Sequence, residues 1–201
     1  MEKVTRIINL IGSILLLNVI FLLTSALTLG LGIGTSWSAL LAAFMELKSD
    51  DSGYYIRNYF KHWKEEFKET IIVNIVLLLV IVGSYFLITI LYSSLEKGAL
   101  QIIAFSLLLA ALLEIGIIAS FFYPVSVKFE GDAIHHIYLS FLFAHRYFYL
   151  SIPFAIAFIG SLYLIIYVSF AFLFIAFGGL AYIEAKIVNH LWRNYTYEPQ
   201  A

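Results

Sequence analysis

Apolar residues run along this chain in five blocks, and the polar stretches between them carry the clearest helical period. The first block covers 7–29, enough for a membrane-crossing helix of about 20 residues. The second, 35–47, follows the glycine-punctuated GLGIG and is short. The third and fourth cover 71–92 and 99–123, and the fifth runs from 150 to 183. As one helix the fifth block would be about 50 Å long, against a hydrocarbon core of about 30 Å. It is therefore either one tilted span or two spans joined by a turn near Val168 and Ser169, the second continuing through Gly178 and Gly179 to Trp192.

Two stretches between the blocks have helical period. In 54–68, Ile56, Tyr59, Phe60, Trp63 and Phe67 recur at i, i+3, i+4, i+7 and i+11, with Arg57, Lys61, Lys64, Glu65 and Lys68 mostly off that stripe. The expectation is an amphipathic helix on the membrane surface, capped by Asp51 or Ser52, with aromatics at headgroup depth and lysines toward water and anionic lipid. It serves either to fix topology or also to dock a partner. In 123–148, Pro124 is expected to end or kink the fourth span, and Asp132 to cap a second interfacial helix. There Ile134, Ile137, Phe141, His145 and Phe148 repeat at helical spacing.

Composition narrows the class. The chain is 62% hydrophobic and 12% charged, where a soluble domain has about 25% charged residues. With a mean hydropathy of +0.94, this is an integral membrane protein, expected as a single domain over 1–201. A net charge of −1 offers no basic field for nucleic acid. With no cysteine, disulfides, thiolate catalysis and zinc–sulfur sites are excluded. The run 7–33 is too long for a signal-peptide core of roughly 7–15 residues, so it is expected to be an uncleaved anchor.

The basic residues then arbitrate topology, because cytoplasmic loops collect Lys and Arg. With six crossings and both termini cytoplasmic, eleven of the twelve basic residues lie inside and only Lys97 outside; with five crossings the division is nine to three. The expected fold is all-α: a polytopic bundle of about six crossing helices, the second short, with two cytoplasmic interfacial helices. GIGTSWSALLAAFMELK and FGGLAYIEAKIVNH echo one another, each placing glycines before a short apolar segment that ends in Glu and Lys.

Candidate chemistry is sparse. Glu114 reads as the one ionisable residue deep in a span, where a carboxylate is costly and marks a site by default. Asn18 and Asn74 are its candidate partners, in a structural role or on a transport path. His135 and His136 diverge by about 100° on a helix and cannot share an ion, and His145 lies on another face, so no metal or cofactor is expected. No Gly-x-Ser-x-Gly, P-loop or paired intramembrane carboxylate supports an enzyme.

Four segments together resemble the YesL-like family of bacterial multi-pass membrane proteins, and the resemblance extends over nearly the whole chain. They are LLNVIFLLTSALTLGLGIGTSWSALLAAF with Asn18 and Gly34; NYFKHWKEEFKE with Phe60, Trp63, Lys64, Phe67 and Lys68; YPVSVKFE with Pro124, Phe129 and Glu130; and GLAYIEAKIVNHLWRNY. Prolines usual in that family near Ala26 and at the position of Tyr149 are missing. The resemblance implies a bacterial plasma-membrane protein, encoded among carbohydrate-degrading enzymes and sugar importers. The implied role is an accessory subunit of a carbohydrate ABC importer, in contact with lipid and the permease and, through it, the ATPase. Phe60, Trp63, Lys64, Phe67, Tyr123, Pro124, Phe129 and Glu130 are the expected partner-binding residues. A stand-alone carrier with Glu114 on the path is the alternative, and a glycan its candidate cargo.

Overall fold

The computed structural model describes residues 2–46, 54–94 and 98–193. Its helices are α1 (Glu2–Leu27), α2 (Ile33–Met45), α3 (Tyr54–Ser94), α4 (Ala99–Lys128), α5 (Ala133–Arg146), α6 (Phe148–Tyr163) and α7 (Ala176–Leu191), with no strand among the described residues. Among the described residues, four helical stretches are long and apolar enough to cross a membrane: Ile7–Leu27, Tyr54–Ser93, Ala99–Lys128 and Phe148–Val168. The capping positions Asp51 and Ser52, and Lys97, lie outside the described residues.

The long fifth apolar block is broken at Ser169. α6 loosens into a π turn over Leu164–Val168, Ser169 is extended (φ −164°, ψ 135°), and a 3-10 turn, Phe170–Phe174, leads into α7. Ser169 closes both sides of the break: its N–H donates to Leu164 O (2.9 Å) and its Oγ accepts from Ala171 N (3.2 Å). A serine hydroxyl supplies the local backbone bond that the interrupted helix loses. The far end of α7 returns to the ends of two other helices, since Asn189 accepts from Lys128 Nζ (3.2 Å) and donates to Met45 O (3.4 Å).

α2 is the hub. Its 13 residues rise only about 20 Å, and it packs against α1, α3, α4 and α7. Residues Gly34, Thr35, Ser36 and Ser38 through Phe44 are all buried. Small side chains let four neighbouring backbones approach closely, as in membrane bundles generally. α2 is reached from α1 through a Schellman turn: Gly30 N donates to Ser25 O and Leu29 N to Ala26 O, both at 3.0 Å. The segments whose sequences echo each other are α2 and α7, packed side by side.

α3 departs from expectation. The surface helix and the third span are one uninterrupted helix of 41 residues, about 60 Å long. The buried line on its first half is Tyr55, Asn58, Tyr59 and Thr70, with His62, Trp63 and Glu66 half-buried between them. This line is rotated from the apolar stripe read from sequence, and Phe60 points outward at 47% exposure. The reason is that hydroxyls of α1 and α2 and the Glu46 carboxyl face α3, which turns its hydrogen-bonding side chains toward them. Beyond Ile71 most of α3 is exposed and apolar, as is the first half of α4 beside it.

Of the two outcomes expected at Pro124, an end or a kink, the first does not occur in α4. The helix runs on to Lys128 with Pro124 buried inside. Asp132 does cap α5, accepting from His135 N at 2.9 Å. α5 packs along α4 with His136, Ser140, Phe143 and Ala144 inward, while Ile134, Ile137 and Phe141 face outward.

Candidate functional site: the polar layer around α2

Polar groups along α2 are matched one by one from the surrounding helices. Thr24 Oγ1 of α1 lies 2.9 Å from Ser36 Oγ and 2.6 Å from the Tyr59 hydroxyl, and Trp63 Nε1 donates to Ser36 at 3.2 Å. Thr70 donates to Glu66 O (2.7 Å), so its single hydrogen is committed and Thr35 must donate across the 2.5 Å contact between them. Ser38 lies 3.5 Å from Ser126, whose hydroxyl donates to Tyr123 O at 3.0 Å. In a medium without water each such group would be costly unpaired.

The two asparagines hold backbone. Asn18 is fully buried; its Nδ2 donates to Leu173 O and its Oδ1 accepts from Gly178 N, both at 2.7 Å. It thereby satisfies an acceptor and a donor left by the helix break. Asn74 donates to Leu31 O (2.9 Å) and accepts from the Tyr123 hydroxyl (2.6 Å). Gly34 sits directly under that pair: a Cβ there would meet both Asn74 Oδ1 and the Tyr123 ring.

The carboxylates are not arranged as the sequence suggested. Glu114 pairs with neither asparagine; its Oε1 lies 3.1 Å from His145 Nε2 on α5, both side chains exposed. His145 Nδ1 is 2.8 Å from Phe141 O, which can only accept, so Nδ1 carries a hydrogen. The deeply enclosed acid is instead Glu184 of α7, 7% exposed, accepting from Trp37 Nε1 at 3.2 Å. It was legible in principle: Glu184 falls on the same face as Ala181, Ala185 and Val188, the small-residue stripe of its helix.

Substitution tests this assignment. Glu184→Gln keeps an acceptor for Trp37 and is expected to change unfolding free energy by less than about 1 kcal/mol. Glu184→Leu orphans the indole N–H and is expected to cost about 1–3 kcal/mol. Thermal unfolding in detergent reads both, and equal losses in the two variants would remove the Trp37 bond from the account.

The expected partner-binding residues divide by placement. Phe60, Lys64 and Glu130 are exposed. Trp63 is tied to Ser36, Phe67 packs on Trp63 at 5.0 Å, and the Tyr123 hydroxyl is bonded to Asn74. Pro124 and Phe129 are enclosed in the bundle and present no surface to a partner. His136 is buried with Nε2 2.9 Å from Phe129 O, while His135 and His145 lie apart from it on other faces.

Residues 14–89 match the family model described as a protein of unknown function, DUF624. That span runs from the second half of α1 through α2 and most of α3, and so includes Asn18, Gly34 and Asn74. No curated protein and no solved structure matches the chain.

Proposed function

We propose that this chain, identified over residues 14–89 as a member of DUF624, the YesL-like family, is an accessory membrane subunit of a carbohydrate ABC importer. It binds the permease in the bacterial plasma membrane, aids its assembly or gating, and hydrolyses nothing itself. The observation that carries this reading is the division between interior and surface. The described polar groups around α2 are largely committed to one another, which suits a rigid scaffold. The charged face of α3 is left outward. The carbohydrate element comes from the family resemblance.

In this reading both termini are cytoplasmic and the chain crosses six times, α6 and α7 forming an out-and-back pair about Ser169. The distribution of basic residues supports it, as does the return of α7 to the ends of α2 and α4. A reporter fused after Ala201 that scores extracytoplasmic would overturn this topology.

Purification of the tagged protein from its native membrane in mild detergent tests the function. Permease subunits and an ATPase at fixed stoichiometry are the expected result; recovery alone, where other importers stay assembled, counts against it. Phe60→Ala combined with Lys64→Glu changes only exposed side chains. It is expected to cut sugar uptake several-fold in a dependent strain without changing thermal stability, and unchanged uptake would remove this face from the docking site.

A second reading, a stand-alone carrier with Glu114 on its path, rests on the 3.1 Å contact between Glu114 and His145. Glu114→Gln would then abolish transport or flatten its pH dependence. Transport and pH profile both unchanged would exclude Glu114 from the path.

A further inference from the structure

Along α3, Arg57, Lys61, Lys64 and Lys68 are all exposed, and so are Ile72, Ile75, Leu79, Val82 and Phe86. At 100° per residue these nine positions fall within an arc of about 80°. One straight line on one unbroken helix is therefore cationic for its first half and apolar for its second. Glu65 stands at the edge of the line and Phe60 at its opposite edge. Among the described residues none of the four cations makes an ion pair, although Glu65, Glu66 and Glu69 share the helix.

Three occupants are conceivable, and magnitudes separate them. Anionic lipid would neutralise cations within the headgroup layer, about 5–8 Å deep on each side of the hydrocarbon. From Lys68 to Arg57 the row extends about 16 Å along the axis, so lipid reaches Lys68 and Lys64 but not Lys61 or Arg57. A second copy of this chain, related by a twofold axis normal to the bilayer, would set basic row against basic row. Like charges so juxtaposed cost several kcal/mol. A helix lying alongside α3 meets both halves of the line at once.

We infer that this line is the docking face for a partner transmembrane helix that continues out of the bilayer as an acidic extension. Asp or Glu at i, i+4, i+7 and i+11 of the extension would face Arg57, Lys61, Lys64 and Lys68. The apolar half packs by shape inside the hydrocarbon, and the charged half fixes register and orientation. This rests on the accessory-subunit reading and specifies the partner's chemistry.

The test places p-benzoylphenylalanine at position 60 or 86, each in place of phenylalanine, in the full chain in its native membrane, followed by irradiation and peptide mapping. The expected result is that both positions cross-link one protein, 86 within a transmembrane helix and 60 within its acidic extension. Lys61→Glu with Lys64→Glu should lower the yield at 86 about tenfold, while Lys61→Arg with Lys64→Arg should leave it unchanged. Cross-links to lipid alone, to a second copy, or to different proteins at the two positions overturn the inference. So does a yield at 86 that ignores charge reversal. A permease that copurifies but cross-links at neither position overturns this face and leaves the accessory reading standing. A non-importer protein captured at both positions, with no permease recovered, supports the face and overturns the accessory reading.

Discussion

Replacing Asn18 by leucine is expected to lower the unfolding free energy by about 2–6 kcal/mol, because it strips partners from two backbone groups, one buried and one part-buried, at about 1–3 kcal/mol each. The groups are Leu173 O and Gly178 N, both bonded to Asn18 at 2.7 Å. A smaller figure is the competing expectation. Interhelical hydrogen bonds in membrane bundles average about 0.6 kcal/mol, since the unfolded chain in the bilayer finds other partners. At Asn18 the larger figure wins, because the groups it satisfies flank a broken helix. Asn18→Asp separates the halves, keeping an acceptor for Gly178 and losing the donor to Leu173. Gly178→Ala attacks the same joint from the other side, since its Cβ would lie 2.8 Å from Ile14 O, a backbone atom that cannot swing aside. Thermal unfolding in nanodiscs reads all three. A loss below about 1 kcal/mol for Asn18→Leu would mean that the break is held by packing alone.

The second large effect is expected at Gly34. Gly34→Val drives a side chain into Asn74 and the Tyr123 ring, and neither can yield without breaking bonds of 2.6 and 2.9 Å. Overpacking costs about 1–3 kcal/mol, and the two bonds add about 0.5–1.5 kcal/mol each. A loss of about 2–6 kcal/mol is therefore expected. If the Tyr123 ring is the obstacle, Gly34→Ala and Tyr123→Leu should be less damaging together than the sum of their separate effects. Strict additivity would show that the obstacle lies elsewhere.

Both positions belong to what sequence made legible, though not for the reason first attached to them. The resemblance picks out Asn18 and Gly34 as family positions, and the bonded geometry explains why those residue types stand there. Length alone left the fifth block as one tilted span or two, since about 50 Å of helix exceeds the hydrocarbon thickness, and the structure breaks it at Ser169. The inward face of α3 was not. A hydrophobicity pattern assumes that the buried side is the apolar one, whereas Thr35 and Ser36 of α2, Thr24 of α1 and the Glu46 carboxyl bond Thr70, Trp63, Tyr59 and Asn58 of α3. Glu184 was missed for the same reason: a carboxyl on a helix reads as its surface side until the indole of Trp37 is found opposite. Pairings between distant positions, such as Glu114 with His145, depend on how α5 folds back along α4, which no local pattern records.

The unbroken course of α3 has a mechanical consequence. Its first half is fastened to α2 through Thr35, Ser36 and Gly34, while its far half is braced by α4. Such a rod acts as a lever. A tilt of only about 5° at the fastened end of a rod about 60 Å long moves the opposite tip by about 5 Å. Whatever grips the charged end of α3 thus acts at the remote tip of the α3–α4 hairpin, with no joint between to absorb the stroke.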